Sequence, residues 1–304
     1  MNLKETKKLA RSLTEEWGIK YNFDIDFIID SLQYSVLEAY SDFNTFEFSL
    51  VSNNKSIRLL HLNFYKCNLG NGIIKRTNEK RIESILRLIK CINKKTGSNY
   101  NIELAKSTMD LASDLSLPIQ VGLEVRNRCN PIIKLYFSIV NNSCDNSAYS
   151  LIYNILEIKK EITNLFINKQ LDAIGIDFLH DSASRSKIYT RYNDLSDIGY
   201  FRDIYNKYNK ITNVEVDLYL NLVNTIDLKH IGFLYRVSDN AKIDSVKVWA
   251  RLRNPITLPS SGINNEGLKK VIKWWDCPKD LINQLRGKIS YVVLENDRKG
   301  VYLR

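Results

Sequence analysis

The chain is poor in the residues from which many catalytic and metal sites are built. Its three histidines, His61, His180 and His230, are dispersed, which argues against a histidine-based metal cluster. The five cysteines, Cys67, Cys91, Cys129, Cys144 and Cys277, are odd in number, scattered, and form no Cys-x-x-Cys. That argues against a disulfide framework and against a zinc site. There is no Gly-x-Ser-x-Gly, no Walker loop and no Gly-x-Gly-x-x-Gly; Gly70-Asn71-Gly72 lacks a third glycine and reads as a turn. No apolar run approaches the ~18 residues of a membrane span. Met1 to Trp17 is charged and amphipathic with no apolar h-region, so no secretory signal is read and the expected address is cytoplasmic, with no membrane partner. No Gly- or Ser-rich linker divides the 304 residues, and residues 1–304 read as a single domain.

What the chain has is positive charge and a repeat. The formal net charge is +10, and 44% of residues are hydrophobic, enough for a sizeable core. Lys187-Ile188-Tyr189-Thr190-Arg191 is echoed upstream by Lys134-Leu135-Tyr136-Phe137-Ser138 and downstream by Lys247-Val248-Trp249-Ala250-Arg251. Gly300-Val301-Tyr302-Leu303-Arg304 is a last copy without its lysine. From Lys134 to Lys187 is 53 residues, from Lys187 to Lys247 is 60, and from Lys247 to Gly300 is 53. A period above fifty suggests one supersecondary unit per repeat. Side chains in a strand alternate between faces, so Lys187, Tyr189 and Arg191 share one face and Ile188 and Thr190 the other. The apolar positions should meet helices, leaving the cation-aromatic face to water or a polar lumen. For one copy, a solvated strand surface is the simpler explanation; several copies at a near-constant step are harder to dismiss.

Taken in order, the pattern predicts helices over 3–17 and 27–39, then a first hairpin from Asn44–Val51 and Ser56–Tyr65 carrying Arg58. Helices over 79–92 and 102–115 follow, closed by Pro118. The second hairpin is 119–126 with 132–140, and a helical stretch over 147–166 comes after it. The third is 173–179 with 186–192, followed by helices over 196–208 and 213–223. The fourth is 230–237 with 245–252, then a loop bracketed by Pro255 and Pro259 and helices over 268–275 and 279–285. The last is 289–294 with 300–303. Gly122, Gly175 and Gly232 recur at the same place on the outgoing strands. The expected fold is therefore α+β: five ββαα repeats forming one closed antiparallel barrel of about ten strands with helices outside, which removes sheet edges.

Four stretches, VGLEVRNRCNPIIKLYFSIV (121–140), IGIDFLHDSASRSKIYTRY (174–192), HIGFLYRVSDNAKIDSVKVWARL (230–252) and ISYVVLENDRKGVYLR (289–304), together with the looser FEFSLVSNNKSIRLL (46–60), give the chain its likeness. Their order and pattern resemble the ABBA-barrel aromatic prenyltransferases, most closely the small peptide prenyltransferases of cyanobactin pathways. That family moves an isoprenyl group, usually dimethylallyl, from its diphosphate to an electron-rich acceptor. The resemblance implies that Arg58, Lys134, Lys187, Lys247, Arg191 and Arg251 bind the diphosphate. It implies an aromatic shield of Tyr136, Tyr189, Trp249 and Tyr302 around the allyl cation, and Glu47 as the carboxylate near the acceptor. Mg²⁺ is implied as a companion of the diphosphate, with no protein side chain holding it. The acceptor it implies is a side chain of a ribosomal peptide, the alternative being a small indole or phenol. The pattern departs from the family in the first copy, which lacks an aromatic, at Ser138 in place of Arg, and at Gly300 in place of Lys.

Physical chemistry suits the same assignment. Fixed cations stabilise a departing diphosphate, roughly 1.5–3 kcal/mol for each charge-assisted bond. Aromatic faces stabilise an allyl cation by about 0.5–2 kcal/mol each without water's nucleophilicity. Asp194 and Asp197 form a lone Asp-x-x-Asp and there is no Asp-Asp-x-x-Asp, which argues against the metal-first chemistry of terpene synthases. Two other readings stand beside this one. Basic and aromatic residues also suit single-stranded nucleic acid, for which an open surface groove is expected. Glu47 can equally be a structural partner of Arg58, and Glu124 and Asp177 occupy corresponding places on later hairpins as weaker candidates for its role. A lysine facing the lumen is expected to support no core.

Overall fold

The computed structural model describes residues 3–16, 26–27, 29–30, 44–51, 56–63, 71–125, 129–139, 166, 170–181, 183–192, 198–209, 213–238, 242–258, 266–276, 287–295 and 298–303. The helices expected over 27–39, 147–166 and 279–285 fall almost wholly outside these residues. In chain order the described elements are α1 (Leu3–Glu16), β1 (Asn44–Val51), β2 (Ser56–Asn63), α2 (Asn71–Thr96), α3 (Ile102–Asp114), β3 (Ile119–Val125) and β4 (Ile132–Ser138). Then come β5 (Gln170–Phe178), β6 (Ser184–Tyr192), α4 (Ile198–Tyr208), α5 (Asn213–Val223), β7 (Leu228–Val237) and β8 (Ile243–Leu258). The last are α6 (Glu266–Trp275), β9 (Gly287–Glu295) and β10 (Arg298–Leu303).

The strands form five antiparallel hairpins. Strands β3 to β10 make a continuous curled sheet of sequential neighbours, and β1 closes it by pairing with both β2 and β10. Closure leaves no free edge to template association.

The two faces of the sheet differ completely. One row from each of β3 to β10 faces outward: Val121 and Leu123, Leu135 and Phe137, Ile174 and Ile176, Ile188, Phe233 and Tyr235, Val246 and Val248, Val292 and Leu294, Val301 and Leu303. All belong to one buried apolar cluster that also takes Ile85, Ile89, Met109, Tyr205, Tyr219 and Trp275 from the helices. Period-two apolar strands meeting three-four spaced helix stripes is the pairing that the sequence pattern requires. Inside the barrel a second, smaller cluster gathers Leu234, Trp249 and Val293 with Tyr189, Tyr291 and Tyr302.

Local chemistry fixes the helix ends. The Asn101 side chain accepts a hydrogen bond from Leu104 N–H at 2.9 Å and caps α3. The helix then stops with Ser116 at φ 55°, and Leu117 N–H donates back to Ala112 C=O at 2.8 Å. Helix α2 ends at Gly97, φ 67°, after Lys94 and Lys95, whose charges suit a helix C-terminus. Two buried side chains on α2 tie it to the sheet: Asn78 donates to Leu117 C=O at 2.8 Å, and Arg81 to Ile119 C=O at 2.6 Å.

One local expectation fails. Pro255 does not open a loop; β8 continues to Leu258. The pairing with β9 breaks between Arg251 and Ile256 and then resumes. Proline lacks a ladder donor and is tolerated at such an irregularity.

Candidate active site

The inward rows are those that the alternation predicts. On β4 the row is Lys134, Tyr136, Ser138; on β6, Arg185, Lys187, Tyr189, Arg191; on β8, Lys247, Trp249, Arg251; on β10, Gly300 and Tyr302. Register brings them side by side. Lys134 pairs with Asp177, Tyr136 with Gly175, Lys187 with Arg236, Tyr189 with Leu234, Lys247 with Glu295, Trp249 with Val293, and Tyr302 with Tyr291. Three layers stack along the barrel.

The first layer is ionic and buried. Lys134, Lys187 and Lys247 are only 2%, 3% and 3% exposed. Lys134 Nζ lies 2.8 Å from Glu124 and 3.2 Å from Asp177; Lys187 Nζ lies 2.6 Å and Arg185 2.7 Å from the same Asp177. Arg236 of β7 reaches across β8 to Glu295 of β9. Lys247 Nζ donates to Tyr302 Oη at 3.0 Å and stands 5.2 Å above that ring. A belt of five cations and three carboxylates thus runs from β3 to β9. Burial pushes the Asp177 carboxyl up, but Lys134, Lys187 and Arg185 outweigh it and hold it well below the usual carboxylate range. Burial, with Lys134, Arg185 and Arg236 close by, pulls Lys187 well below the usual lysine value against the opposing pull of Asp177. The expectation that a lumen lysine supports no core is therefore corrected: Lys134 and Lys187 sit in a buried ion cluster.

The second layer is aromatic. Tyr136 meets Tyr189 at 6.0 Å between centroids, Trp249 meets Tyr291 at 6.0 Å, and Tyr291 meets Tyr302 at 5.7 Å, all edge-on. Burial, then Tyr136 and Tyr302, push the Tyr189 phenol well up, so it stays neutral. Two glycines make room for these rings. A Cβ on Gly232 would lie 2.0 Å from Thr190 C=O and 2.5 Å from the Trp249 ring, and one on Gly175 would lie 3.3 Å from the Tyr136 ring. The recurring outgoing-strand glycine thus lets an aromatic lie against the wall.

The third layer holds Arg191 and Arg251 with Asp172 and His230. Arg191 lies 3.4 Å from Asp172, and Arg251 sits 5.8 Å above the Tyr291 ring. Asp172 enters the layer because it is the extra residue where the β5–β6 register shifts between Leu171 and Ala173. Burial raises its carboxyl pKa against the pull of the two arginines. Burial, then Arg191 and Arg251, lower His230 to about 4, so the imidazole is neutral at pH 7. Arg191 and Arg251 each lie four residues past the lysine of their own strand, about 13 Å along an extended chain. They do not share the lysines' layer.

Glu47 and Arg58 lie on β1 and β2. Arg58 pairs in register with Ser49 and Glu124, and Glu47 with Leu60, in phase with Ser49, the register partner of Tyr302. Their side chains lie outside the described set. Three members of the ionic layer were missed from the sequence: Arg185, Arg236 and Glu295. Arg185 was legible, because it precedes Lys187 by two and so shares its face. The Arg236–Glu295 pair was not, because it joins two strands separated by a third. Among the described residues no group of three or more His, Cys, Asp or Glu is arranged to hold a metal ion, and no helix is long and apolar enough to cross a membrane. Cys91 and Cys129 are free thiols at the surface.

No protein-family model matches the chain, and no curated protein matches it by sequence. Solved structures match it over nearly its whole length. The 5-dimethylallyltryptophan synthase from Streptomyces coelicolor aligns with a TM-score of 0.64 at 12% identity, covering 99% of this chain and 97% of its own. The prenyltransferase PriB, in its apo form, aligns with a TM-score of 0.66 at 13% identity, covering 99% and 95%. AnaPT from Neosartorya fischeri aligns with a TM-score of 0.57 at 13% identity, covering 99% and 91%. The chain therefore has the fold of the aromatic prenyltransferase barrels.

Proposed function

We propose that this protein is a dimethylallyl transferase acting on a small electron-rich aromatic acceptor. The observation that carries the reading is a net-positive buried belt lying directly against a layer of aromatic rings, inside a barrel of this fold. An anionic leaving group next to a carbocation needs that juxtaposition. In the proposed reaction the C1–O bond of dimethylallyl diphosphate breaks and its electron pair leaves with the diphosphate. Lys134, Lys187 and Lys247 receive that charge, helped by Arg185 and Arg236, with Arg58 on the adjoining strand. Tyr136, Tyr189, Trp249 and Tyr302 face the allyl cation and keep water from it. The acceptor's π electrons form the new C–C or C–heteroatom bond, and the displaced proton passes to Glu47. The carboxylates of the ionic layer are engaged by cations, so Mg²⁺, as a companion of the diphosphate, would be held by the diphosphate itself, where it adds charge neutralisation.

Two alternatives carry less support. A ribosomal peptide side chain, the acceptor that the cyanobactin-like resemblance implies, is not the acceptor that the similar tryptophan synthases and PriB complex describe. Two of these are dimethylallyltryptophan synthases, and PriB forms a ternary complex with L-tryptophan and dimethylallyl thiolodiphosphate. Single-stranded nucleic acid needs an open groove, whereas the cations and rings here face a closed lumen.

Calorimetry with dimethylallyl thiolodiphosphate tests the donor site; absence of binding, or capture of a labelled oligonucleotide in its place, would sink the reading. Glu47→Gln tests the base. Turnover should fall by about a hundredfold or more with donor affinity unchanged. A lowered melting temperature with intact turnover would instead make Glu47 a structural partner of Arg58.

A further inference from the structure

The outer helix layer carries a feature that the reaction in the lumen does not use. One face of α5 is buried in the apolar cluster through Val216, Tyr219, Leu220 and Val223. The opposite face of a helix that meets only solvent is polar. Here it is not: Val214 and Leu218, 63% and 47% exposed, are the two exposed large apolar side chains among the described residues. They stand four residues apart, with Leu222 four further on, so the three form one stripe along the helix. Scattered single apolar side chains on a surface need no explanation, but a stripe beside a concavity does. Beside this one, α5, α6 and β10 frame a groove of about 420 Å³ lined by Leu218, Leu222, Trp274, Lys270, Lys273 and Lys299. Lys270 and Lys273 are exposed, three residues apart on α6, and make no ion pair among the described residues. Lys299 lies 3.2 Å from Glu215. Trp274 packs on Tyr219 with ring centroids 5.5 Å apart, and its buried indole N–H has no hydrogen-bond partner among the described residues.

We propose that this groove docks an acidic amphipathic helix of a partner protein, its apolar face on Leu218 and Leu222 and its carboxylates against Lys270, Lys273 and Lys299. An apolar floor rimmed by charge of one sign selects a partner that is apolar in the middle and oppositely charged at the edge. Length favours an elongated partner. The stripe from Val214 to Leu222 runs about 12 Å along α5, and Val214 lies beyond the residues that line the groove. Apolar anchors at i, i+4 and i+7 of a docked helix span about 10 Å, which matches that run. A second copy of this chain fits poorly. Each copy carries a net charge of +10, and a two-fold contact would set the same lysines against one another. An anionic bilayer would also attract the lysines, but a flat surface does not fill a concave groove. The groove lies outside the barrel, so the proposal goes beyond the prenyl-transfer reading and does not depend on it.

The test is fluorescence anisotropy with a labelled, helix-stabilised peptide that carries leucines at i, i+4 and i+7 and glutamates at the flanking positions. One control peptide has the same composition with its leucines scattered around the helix; another has lysine in place of glutamate. The first peptide should bind about tenfold or more tightly than either control. Leu218→Ser should weaken that binding by about fivefold or more. The double variant Lys270→Glu, Lys273→Glu should weaken it by about tenfold or more. Leu218, Lys270 and Lys273 are exposed, so the melting temperature should not move. Lys80→Glu with Lys90→Glu makes the same change in net charge at exposed positions of α2 and should leave binding close to wild type. Equal affinity for the scattered-leucine control, or an equal loss in the α2 variant, would reduce the attraction to net charge and overturn the proposal. Unchanged binding in Leu218→Ser would overturn it too. Vesicles of phosphatidylcholine with phosphatidylglycerol are the last arm: capture by the vesicles, without preference for the amphipathic peptide, would make this a membrane-facing surface and refute the helix site.

Discussion

The two ends of the lumen solve the problem of enclosed charge differently. At the lysine end, four cations are answered by three buried carboxylates, and Lys247 by a tyrosine hydroxyl and ring. At the arginine end one carboxylate, itself partly exposed, answers two guanidinium groups only loosely. Enclosed charge is costly unless paired, so the lysine end needs its carboxylates in order to fold, and under the proposed function the charge beyond pairing meets the diphosphate. The arginine end is closer to solvent and tolerates incomplete pairing. Stability should therefore be sensitive to loss of a shared carboxylate at the first end and nearly indifferent to substitution at the second.

Removing Asp177 should break this pattern most severely. Asp177→Ala leaves Lys134, Arg185 and Lys187 crowded together, Lys134 keeping only Glu124. Breaking a buried pair typically costs about 3–5 kcal/mol, and chemical denaturation at pH 7 should show a loss of that order. The pH dependence has a definite sign. The folded-state pKa of Asp177 is depressed, so its contribution is present above the unfolded carboxylate value of about 3.9 and fades as pH falls below it. The gap between wild type and Asp177→Ala should accordingly narrow below about pH 4. A gap that is small at pH 7, or flat with pH, would mean that the carboxylate does not hold the cations together.

Lys187→Met should separate stability from binding at the same end. Asp177 retains Lys134 and Arg185, so the fold should survive with little change. Donor affinity should drop by about tenfold or more, one charge-assisted contact. A second readout follows from the lowered pKa of Lys187. A diphosphate beside it favours the charged ammonium, so binding should take up a proton, increasingly as pH rises. Titrations of dimethylallyl thiolodiphosphate in buffers of different ionisation enthalpy measure this uptake. It should vanish in Lys187→Met; uptake that persists there assigns the proton to another group.

How much of this was legible in the sequence depends on distance along the chain. The hairpins were, because alternation is local: Lys187, Tyr189 and Arg191 fall on one face from their spacing alone. The recurring glycines were visible but unexplained until Trp249 was found lying on Gly232 and Tyr136 on Gly175. The layering was not legible. It depends on which residue of β6 stands opposite which residue of β7 and β5, and the register shift at Asp172 alters that count by one. Spacing on a single strand puts Arg191 on the face of Lys187 and Arg251 on that of Lys247, and the 13 Å or so between the layers does not show there. The ion pairing was hidden for the same reason. Asp177 reads as an isolated acid until Lys134, 43 residues earlier, and Lys187, ten residues later, converge on it.

The smallest expected effect is at the other end, and it tests the comparison most sharply. Arg251 packs over Tyr291 and makes no ion pair within bonding distance among the described residues. Arg251→Gln removes a contact worth about 0.5–1 kcal/mol at a partly exposed site, and glutamine keeps much of the aliphatic cover on the ring. Arg191→Gln loses a 3.4 Å pair with Asp172 in which each side chain is about a third exposed, worth about 1 kcal/mol or less. Its loss should push the Asp172 carboxyl further up, since Arg191 is one of the two cations holding it down. Neither variant should approach the loss expected for Asp177→Ala in the same denaturant titration. If Arg251→Gln destabilises the protein as much as Asp177→Ala does, the arginine layer is as structural as the lysine layer. The division of the lumen into a folded-in ionic belt and a loosely paired arginine layer then fails.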